Sequence, residues 1–366
     1  MIQSLQIRGY RSLRELRLKL GPVTVVTGGN GVGKSNVYRA LSLLQRMAEG
    51  RFAEALAREG GMPSALWAGK RRNDEARRVS WDIEHTDFRF NLECGMVALG
   101  PESPSLFRTD PEIKNENLLF SGKSMARRKG PHLEARNPDG TMEAASLPFH
   151  APESMISELR DGIRHPAVAA ARETLLSWRF YHQFRTDADS PLRMPRLGSW
   201  SPVLAHDGTN LAATLQTIIE ASHGETLQAA IESAFPDMGW SPVDETGAFQ
   251  LCLESPDLKR RMHAAELSDG TLRFFCLAAA LLSPKPPPLM VLNEPEASLH
   301  TGLIQPLGDL IASAHRDTQI LVVTHSQTLS DALTSTCEAK KIELVSHEGE
   351  TRPKDLAGSK RAWSFE

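Results

Sequence analysis

Residues 2–8 and 13–20 alternate apolar and polar positions, with Gly9, Tyr10, Arg11 and Ser12 between them, and so predict two strands of a hairpin. A wholly apolar run, VTVVT at 23–27, predicts a third strand that leads into a glycine-rich loop and then a helix from Asn36 to about Glu49. Between Val79 and about Met142 the strand pattern returns in VSWDIEH, FRFNLECG and HLEARN, separated by Pro, Gly, Asn and Asp clusters, and an antiparallel layer is expected there. Helical spacing marks 153–179 and 209–235. The segment between them, FYHQFRTDADSPLRMPRLGSWSPVL, is rich in Pro, Ser and charge and reads as an irregular loop. A helix at about 269–282 stops at SPKPPP, and a second at 302–315 separates the apolar runs LMVL (289–292) and QILVVT (319–324). Runs this short, on either side of a helix, predict two buried parallel strands, and the class is α/β. No internal repeat, heptad array or low-complexity tract interrupts the chain.

The length of 366 residues allows one large α/β unit or two domains. With 40% hydrophobic and 24% charged residues and a formal net charge of -3, the chain carries no global electrostatic footprint for nucleic acid. Cys94, Cys252, Cys276 and Cys337 are too scattered for a zinc site or a C-x-x-C redox pair, which suits a reducing cytoplasm. The N-terminal segment alternates apolar and basic residues, unlike a signal peptide or an anchor, and the longest apolar run, Phe274–Leu282, is too short to span a bilayer. A soluble cytoplasmic protein with no membrane partner is expected.

Gly28 to Ser35, GGNGVGKS, matches the phosphate-binding pattern G-x-x-x-x-G-K-[ST], directly after a predicted strand and before a predicted helix. Glycines let the loop curl so that backbone N–H groups of Asn30, Gly31, Val32 and Gly33 face phosphate oxygens, and the helix start adds partial positive charge. Lys34 would neutralise the β- and γ-phosphates, and Ser35 would ligate Mg²⁺. LMVLNE at 289–294 has the form of a Walker B strand, delivering Asn293 and Glu294 to the carboxyl edge of a buried sheet, with Glu294 placed to orient or deprotonate water. Read alone, LNEPE is equally a strand-to-turn junction. LSDGT at 267–271 opens a helix that Ser268 or Asp269 can cap and where Gly270 permits close approach; it fits a phosphate-binding turn or an ordinary capped helix. His325 follows the strand ILVVT in THS, which suits a γ-phosphate sensor, although a lone histidine is also a common structural residue.

Taken together, Tyr10-Arg11-Ser12, GGNGVGKSN, LSDGTLRF, VLNEPEASLH and VVTHS occur in the order found in RecF-like and SMC-like ABC-type ATPase heads, and the chain resembles predicted bacterial AAA-type ATPases of the RecF group. The resemblance implies a P-loop NTPase with a bilobed ABC-type head: a core lobe at 1–150 and 286–345, a helical and signature lobe at 151–285, and a C-terminal tail at 346–366. It implies ATP and Mg²⁺ as ligands and a head-to-tail homodimer in the ATP state. In that dimer Arg11, Asn36 and the P-loop would hold the nucleotide from one subunit, and Ser268 and Gly270 from the other. Glu294 and His325 would be catalytic; Ser35, Asn293 and Gln183, taken as the Q-loop residue, would serve the metal; Ser298 and Leu299 would form the D-loop. Asn293 stands where the family usually has aspartate, no long coiled coil interrupts the chain and no nuclease domain follows. These departures argue against chromosome-scale bridging and built-in DNA cleavage.

Two biological readings follow. In the first, an ATP-driven switch acts on DNA in repair, recombination or phage defence, with Lys70-Arg71-Arg72 plus Arg77-Arg78, Arg127-Arg128-Lys129 and Lys259-Arg260-Arg261 as candidate contacts. Asp74 and Glu75 interrupt the first of these clusters. In the second, ATP-dependent dimerisation controls a separately encoded effector such as a nuclease or toxin. A transporter subunit fits poorly, because a long insertion separates the P-loop from LSDG.

Overall fold

The computed structural model describes residues 1–71, 76–100, 103–145, 152–243 and 247–356; Arg72, Asp74, Glu75 and the end of the expected tail lie outside the described residues. The chain forms two compact units, the first comprising Met1–Gly21, Val26–Trp178 and the chain from Ile342, the second Pro22–Val25 and Arg179–Lys341.

In the first unit, β1 (Ile2–Tyr10) and β2 (Leu13–Lys19) form the expected hairpin, and β3 (Val23–Gly28), whose second half belongs here, runs into the glycine loop. Helix α1 (Lys34–Ala48) starts two residues before the expected position. Its buried Val37, Ala40, Leu41, Leu44 and Ala48 recur at helical spacing, so one face is apolar and docks. The Trp81 indole donates to the Ala40 carbonyl and fixes that docking at 3.0 Å. After α2 (Phe52–Arg58) and α3 (Gly61–Ala65) come β4 (Arg78–His85), β5 (Phe88–Met96), β6 (Pro111–Phe120), β7 (Lys123–Lys129), β8 (His132–Arg136) and β9 (Met142–Ala144). They build an antiparallel sheet of order β2-β1-β4-β5-β6-β7-β8-β9, the layer expected from sequence but with β6, β7 and β9 added. Inside it, the buried Glu116 carboxylate accepts from the Ser154 hydroxyl and from Met155 N at 3.0 Å, so the sheet caps α4 (Met155–Glu158). Burial pushes Glu116 up and Arg128 down, and their pairing at 3.6 Å opposes both shifts. Helix α5 (Pro166–Ser177) follows, and Gln45 ties α1 to its exit through the Trp178 carbonyl at 2.7 Å.

The second unit opens with β10 (Arg179–Tyr181), a strand within the segment read as loop. Next come α6 (Leu211–Ile218), one π turn, α7 (Gly224–Ala234) and a three-stranded antiparallel sheet of β11 (Gly239–Val243), β12 (Phe249–Glu254) and β13 (Met262–His263). Then α8 (Asp269–Leu281), β14 (Leu289–Asn293), α9 (Ile304–Ala314), β15 (Gln319–Val323) and α10 (Gln327–Cys337) complete the unit. β14 pairs in parallel with β10 and β15, opposing Leu292 to Tyr181 and Asn293 to Val323. Every residue of β14 and β15 is buried, which explains why their patterns are continuous instead of alternating. The longest apolar run is the interior of α8, buried from Leu272 to Leu281. Helix α8 and strand β14 thus lie in one unit.

A final hairpin, β16 (Lys340–His347) with β17 (Glu350–Pro353), runs into the segment assigned to the tail and returns the chain to the first unit. Among the described residues no helix is long and apolar enough to cross a membrane.

Among the described residues, five arginines of the basic clusters are paired with carboxylates. Arg78 pairs with Glu93, Arg127 with Glu134, Arg260 with Glu266 and Arg261 with Glu254, while Arg128 is buried against Glu116. Alternation of the β-strand puts Arg127 and Arg128 on opposite faces, so their adjacency in sequence is not adjacency in space.

Candidate functional site

The loop Gly28–Gly33 wraps around the head of Lys34, whose ammonium donates to the Gly28 and Gly29 carbonyls, each at 2.8 Å. Two glycines are obligatory here. A Cβ on Gly28 would lie 2.4 Å from the Leu344 carbonyl oxygen, and one on Gly33, at φ 96°, would lie 2.2 Å from Thr351 Oγ1 and 2.3 Å from Ser12 Oγ. Thr351 donates its hydroxyl to the Val32 carbonyl at 2.7 Å and meets Ser12 Oγ at 2.7 Å; its backbone N–H donates to the Ser12 carbonyl. Asn36 donates its amide to the same Ser12 hydroxyl at 2.8 Å. The loop is thereby braced from β17 and from the β1–β2 turn, while Asn30, Gly31 and Ser35 remain exposed at its lip. Arg11, at φ 50°, turns its guanidinium to Glu59, which also accepts from the Tyr10 hydroxyl at 2.6 Å. It is Ser12 that touches the loop's supports.

In the second unit, the parallel register carries Asn293 to the end of β14 beside His182, the residue after β10. Asn293 Nδ2 and His182 Nδ1 lie within hydrogen-bond distance at 2.7 Å, and the same ring nitrogen is 3.3 Å from the Asn293 carbonyl oxygen. Asn293 Oδ1 is buried with no partner. Gln183, the expected Q-loop residue, is exposed next door, and the side chain that meets Asn293 is that of His182.

Past Asn293 the chain turns at Glu294, φ 50°, whose N–H still completes the ladder to the Val323 carbonyl at 2.7 Å. His325 Nδ1 lies 3.9 Å from Glu294 Oε1 and 3.5 Å from Glu296 Oε1. Glu296 is buried; its Oε1 accepts from Thr324 Oγ1 at 2.5 Å and from Ser326 N at 3.3 Å, while Oε2 has no partner. One carboxylate thus knits the NEPE turn to the THS turn, and the second, Glu294, stays partly exposed beside the histidine.

Ser268 caps α8 by accepting from Thr271 N at 3.1 Å, and Gly270 packs so tightly that a Cβ would lie 2.7 Å from the Ser298 carbonyl oxygen. Buried Arg273, on the same helix, donates to the His182 and Glu294 carbonyls at 2.8 Å each. Burial pushes its guanidinium down, and the nearby Glu296 and Glu294 charges hold it up. Sequence reasoning passed over Thr351, His182, Glu296 and Arg273. Glu296 and Arg273 stand inside quoted motifs; Thr351 gives no local signal, lying 339 positions from Ser12.

Comparison with known proteins places these features in a family. Over 44 residues the chain is 41% identical to an OLD nuclease of Thermus scotoductus, and over 134 residues it is 27% identical to the DNA replication and repair protein RecF of Paenarthrobacter aurescens. These matches take in 12% and 32% of the chain, and they span only 8% and 34% of the length of those two relatives. In fold the chain is similar to an SMC head solved with the C-winged helix domain of ScpA (TM-score 0.53, 16% identity, 96% of this chain and 97% of that one). It is also similar to an Smc head with an extended coiled coil, bound to the C-terminal domain of ScpA and derived from Pyrococcus furiosus (TM-score 0.51, 14% identity, 96% and 95%). Residues 23–331, from β3 through His325, match the family described as "AAA domain, putative AbiEii toxin, Type IV TA system". The chain belongs to that AAA domain family, and its fold is that of the SMC heads.

Proposed function

We propose that this ATPase is a nucleotide-gated switch: it binds ATP at the loop around Lys34, pairs head to tail with a second copy while ATP is bound, and separates after slow hydrolysis. The observation that carries the reading is the braced loop, where the Lys34 ammonium donates to the Gly28 and Gly29 carbonyls, contacts it would exchange for phosphate oxygens. Asn30, Gly31, Val32 and Gly33 supply backbone N–H groups, and Ser35 and Asn36 begin the helix whose positive end faces an anion. Arg11, tied to Glu59, supports this region from the β1–β2 turn.

The residues of each unit also suit Mg²⁺. In the second unit the orphaned Asn293 oxygen would accept a hydrogen bond from a metal-bound water and the exposed Gln183 would offer an oxygen ligand; in the first, the exposed Ser35 would offer its hydroxyl. When bound, the metal neutralises phosphate charge. Glu294 takes a proton from the attacking water, and His325, held by Glu296, donates to the γ-phosphate. Asn293 offers a neutral acceptor where an aspartate would bring charge, so turnover is slow.

Ser268 and Gly270 are presented on an exposed helix start, which suits contact with a nucleotide held by another copy. For the output of the switch, the internal pairing of Arg78, Arg127, Arg128, Arg260 and Arg261 favours a separately encoded effector over direct DNA binding. The AbiEii toxin in the family's description agrees with that direction, and RecF among the relatives keeps DNA as the competing partner. Sedimentation of the Glu294→Gln protein tests the core of the proposal. A dimer with ATP and Mg²⁺ and a monomer without them is expected; a monomer in both conditions, or a dimer in both, defeats it.

A further inference from the structure

The FYHQFRTDADSPLR segment contains a side chain to which the proposed function gives no role. Arg193 is 8% exposed and ends a short 3-10 turn, Pro191–Arg193, capped by Ser190. Its guanidinium donates from all three nitrogens. Nε donates to the Thr186 carbonyl at 2.9 Å and the Asp187 carbonyl at 3.2 Å. Nη1 donates to the carbonyls of Ala264 (3.0 Å), Ala265 (3.1 Å) and Leu267 (2.8 Å), and Nη2 donates to Asp269 Oδ1 at 2.7 Å.

All the acceptors on one side belong to the approach to α8: the 3-10 turn Ala264–Glu266, Leu267 just before the Ser268 cap, and the first helical residue, Asp269. Those on the other side belong to the loop that leaves β10 beside His182. Only a planar fork of five donors spans both sets; an ammonium has neither the reach nor the geometry. The Asp269 side chain is 59% exposed and stands next to Ser268 and Gly270. A free carboxylate there suits the helix dipole but repels any phosphate approaching the same helix start.

We infer that Arg193 is a positioning residue for the signature turn: it fixes the backbone that presents Ser268 and Gly270, and it neutralises Asp269 so that this helix start can accept a nucleotide phosphate. The inference rests on the proposed ATP-dependent pairing for its consequence, but its structural half stands on the isolated chain. Arg193 lies outside the loop around Lys34, so its loss leaves ATP binding by the single chain unchanged.

The test uses the full chain in the Glu294→Gln background. Arg193→Met is expected to weaken ATP-dependent dimerisation about tenfold or more, since removing the guanidinium strands the backbone carbonyls it satisfied and leaves the Asp269 charge uncompensated beside Ser268, with unchanged ATP affinity by calorimetry. Adding Asp269→Asn to Arg193→Met is expected to recover about threefold or more of that loss, because the uncompensated charge is gone. A purely structural arginine gives no such rescue. Parental dimerisation in Arg193→Met, or no recovery in the double variant, overturns the inference. Arg193→Lys, which keeps charge and loses the fork, takes the place of the Met variant if that one does not fold, and is expected to weaken pairing in the same direction. If the Glu294→Gln parent itself stays monomeric with ATP, it is the pairing proposal that fails. Amide hydrogen exchange then decides: faster exchange across 264–272 in the Arg193 variant supports the inference, and unchanged exchange overturns it.

Discussion

At the scale of single residues, the loop that defines the family is shaped by a threonine more than three hundred positions away. Thr351 closes a hydroxyl chain in which Asn36 donates to Ser12, Ser12 and Thr351 share a hydrogen bond, and Thr351 holds the Val32 carbonyl. Thr351→Val keeps the shape and removes the hydroxyl, leaving the Val32 carbonyl without its donor. A lost bond of this kind is worth about 1 kcal/mol, so ATP affinity should fall about fivefold, and Thr351→Ser should restore it. Calorimetry on the three proteins checks this, and equal affinities would show that the hydroxyl chain does not shape the loop. Gly28, Lys34 and Gly33 were legible in the sequence because their chemistry is local: a Cβ or a lost ammonium is fatal wherever the surrounding chain comes from. Thr351 was not, because β17 gains its meaning only by pairing.

At the scale of elements, buried arginines do the joining. Arg273 reaches from α8 to the carbonyls just past β10 and β14, so the helix start is tied to the strand ends. Two charge-assisted bonds at 2.8 Å from a buried guanidinium to part-buried carbonyls imply that Arg273→Met costs about 3 kcal/mol of stability, with Arg273→Lys losing less. Urea unfolding measures it; a midpoint unchanged from the parent would mean that α8 is held by packing alone. The elements with clean periods were read correctly. β14 and β15 are continuous apolar runs, α1 and α8 are near their expected bounds, and the β1–β2 hairpin alternates. The misses have physical reasons. In β7 the buried face includes Arg128, paired with Glu116, so a strand reads as a charge run. β10 is three residues long beside a Pro- and Ser-rich loop, and its strand character comes wholly from its pairing with β14.

At the scale of the whole molecule, the account rests on one claim, that this chain binds ATP through the loop around Lys34. The order of motifs made that claim available from the sequence, and the family match from residue 23 to 331 supports it. What a nucleotide-gated switch would act on was not legible, because several arginines of the basic runs pair with carboxylates once the strands and turns form. The claim is tested most directly by titrating a non-hydrolysable ATP analogue with Mg²⁺ into the parent chain and into Lys34→Ala, with heat capacity and melting temperature confirming that both are folded. Loss of a charge-assisted contact to two phosphates should cost about 1.5–3 kcal/mol or more, a weakening of roughly ten- to a hundredfold. Equal affinities in the two proteins would contradict the account.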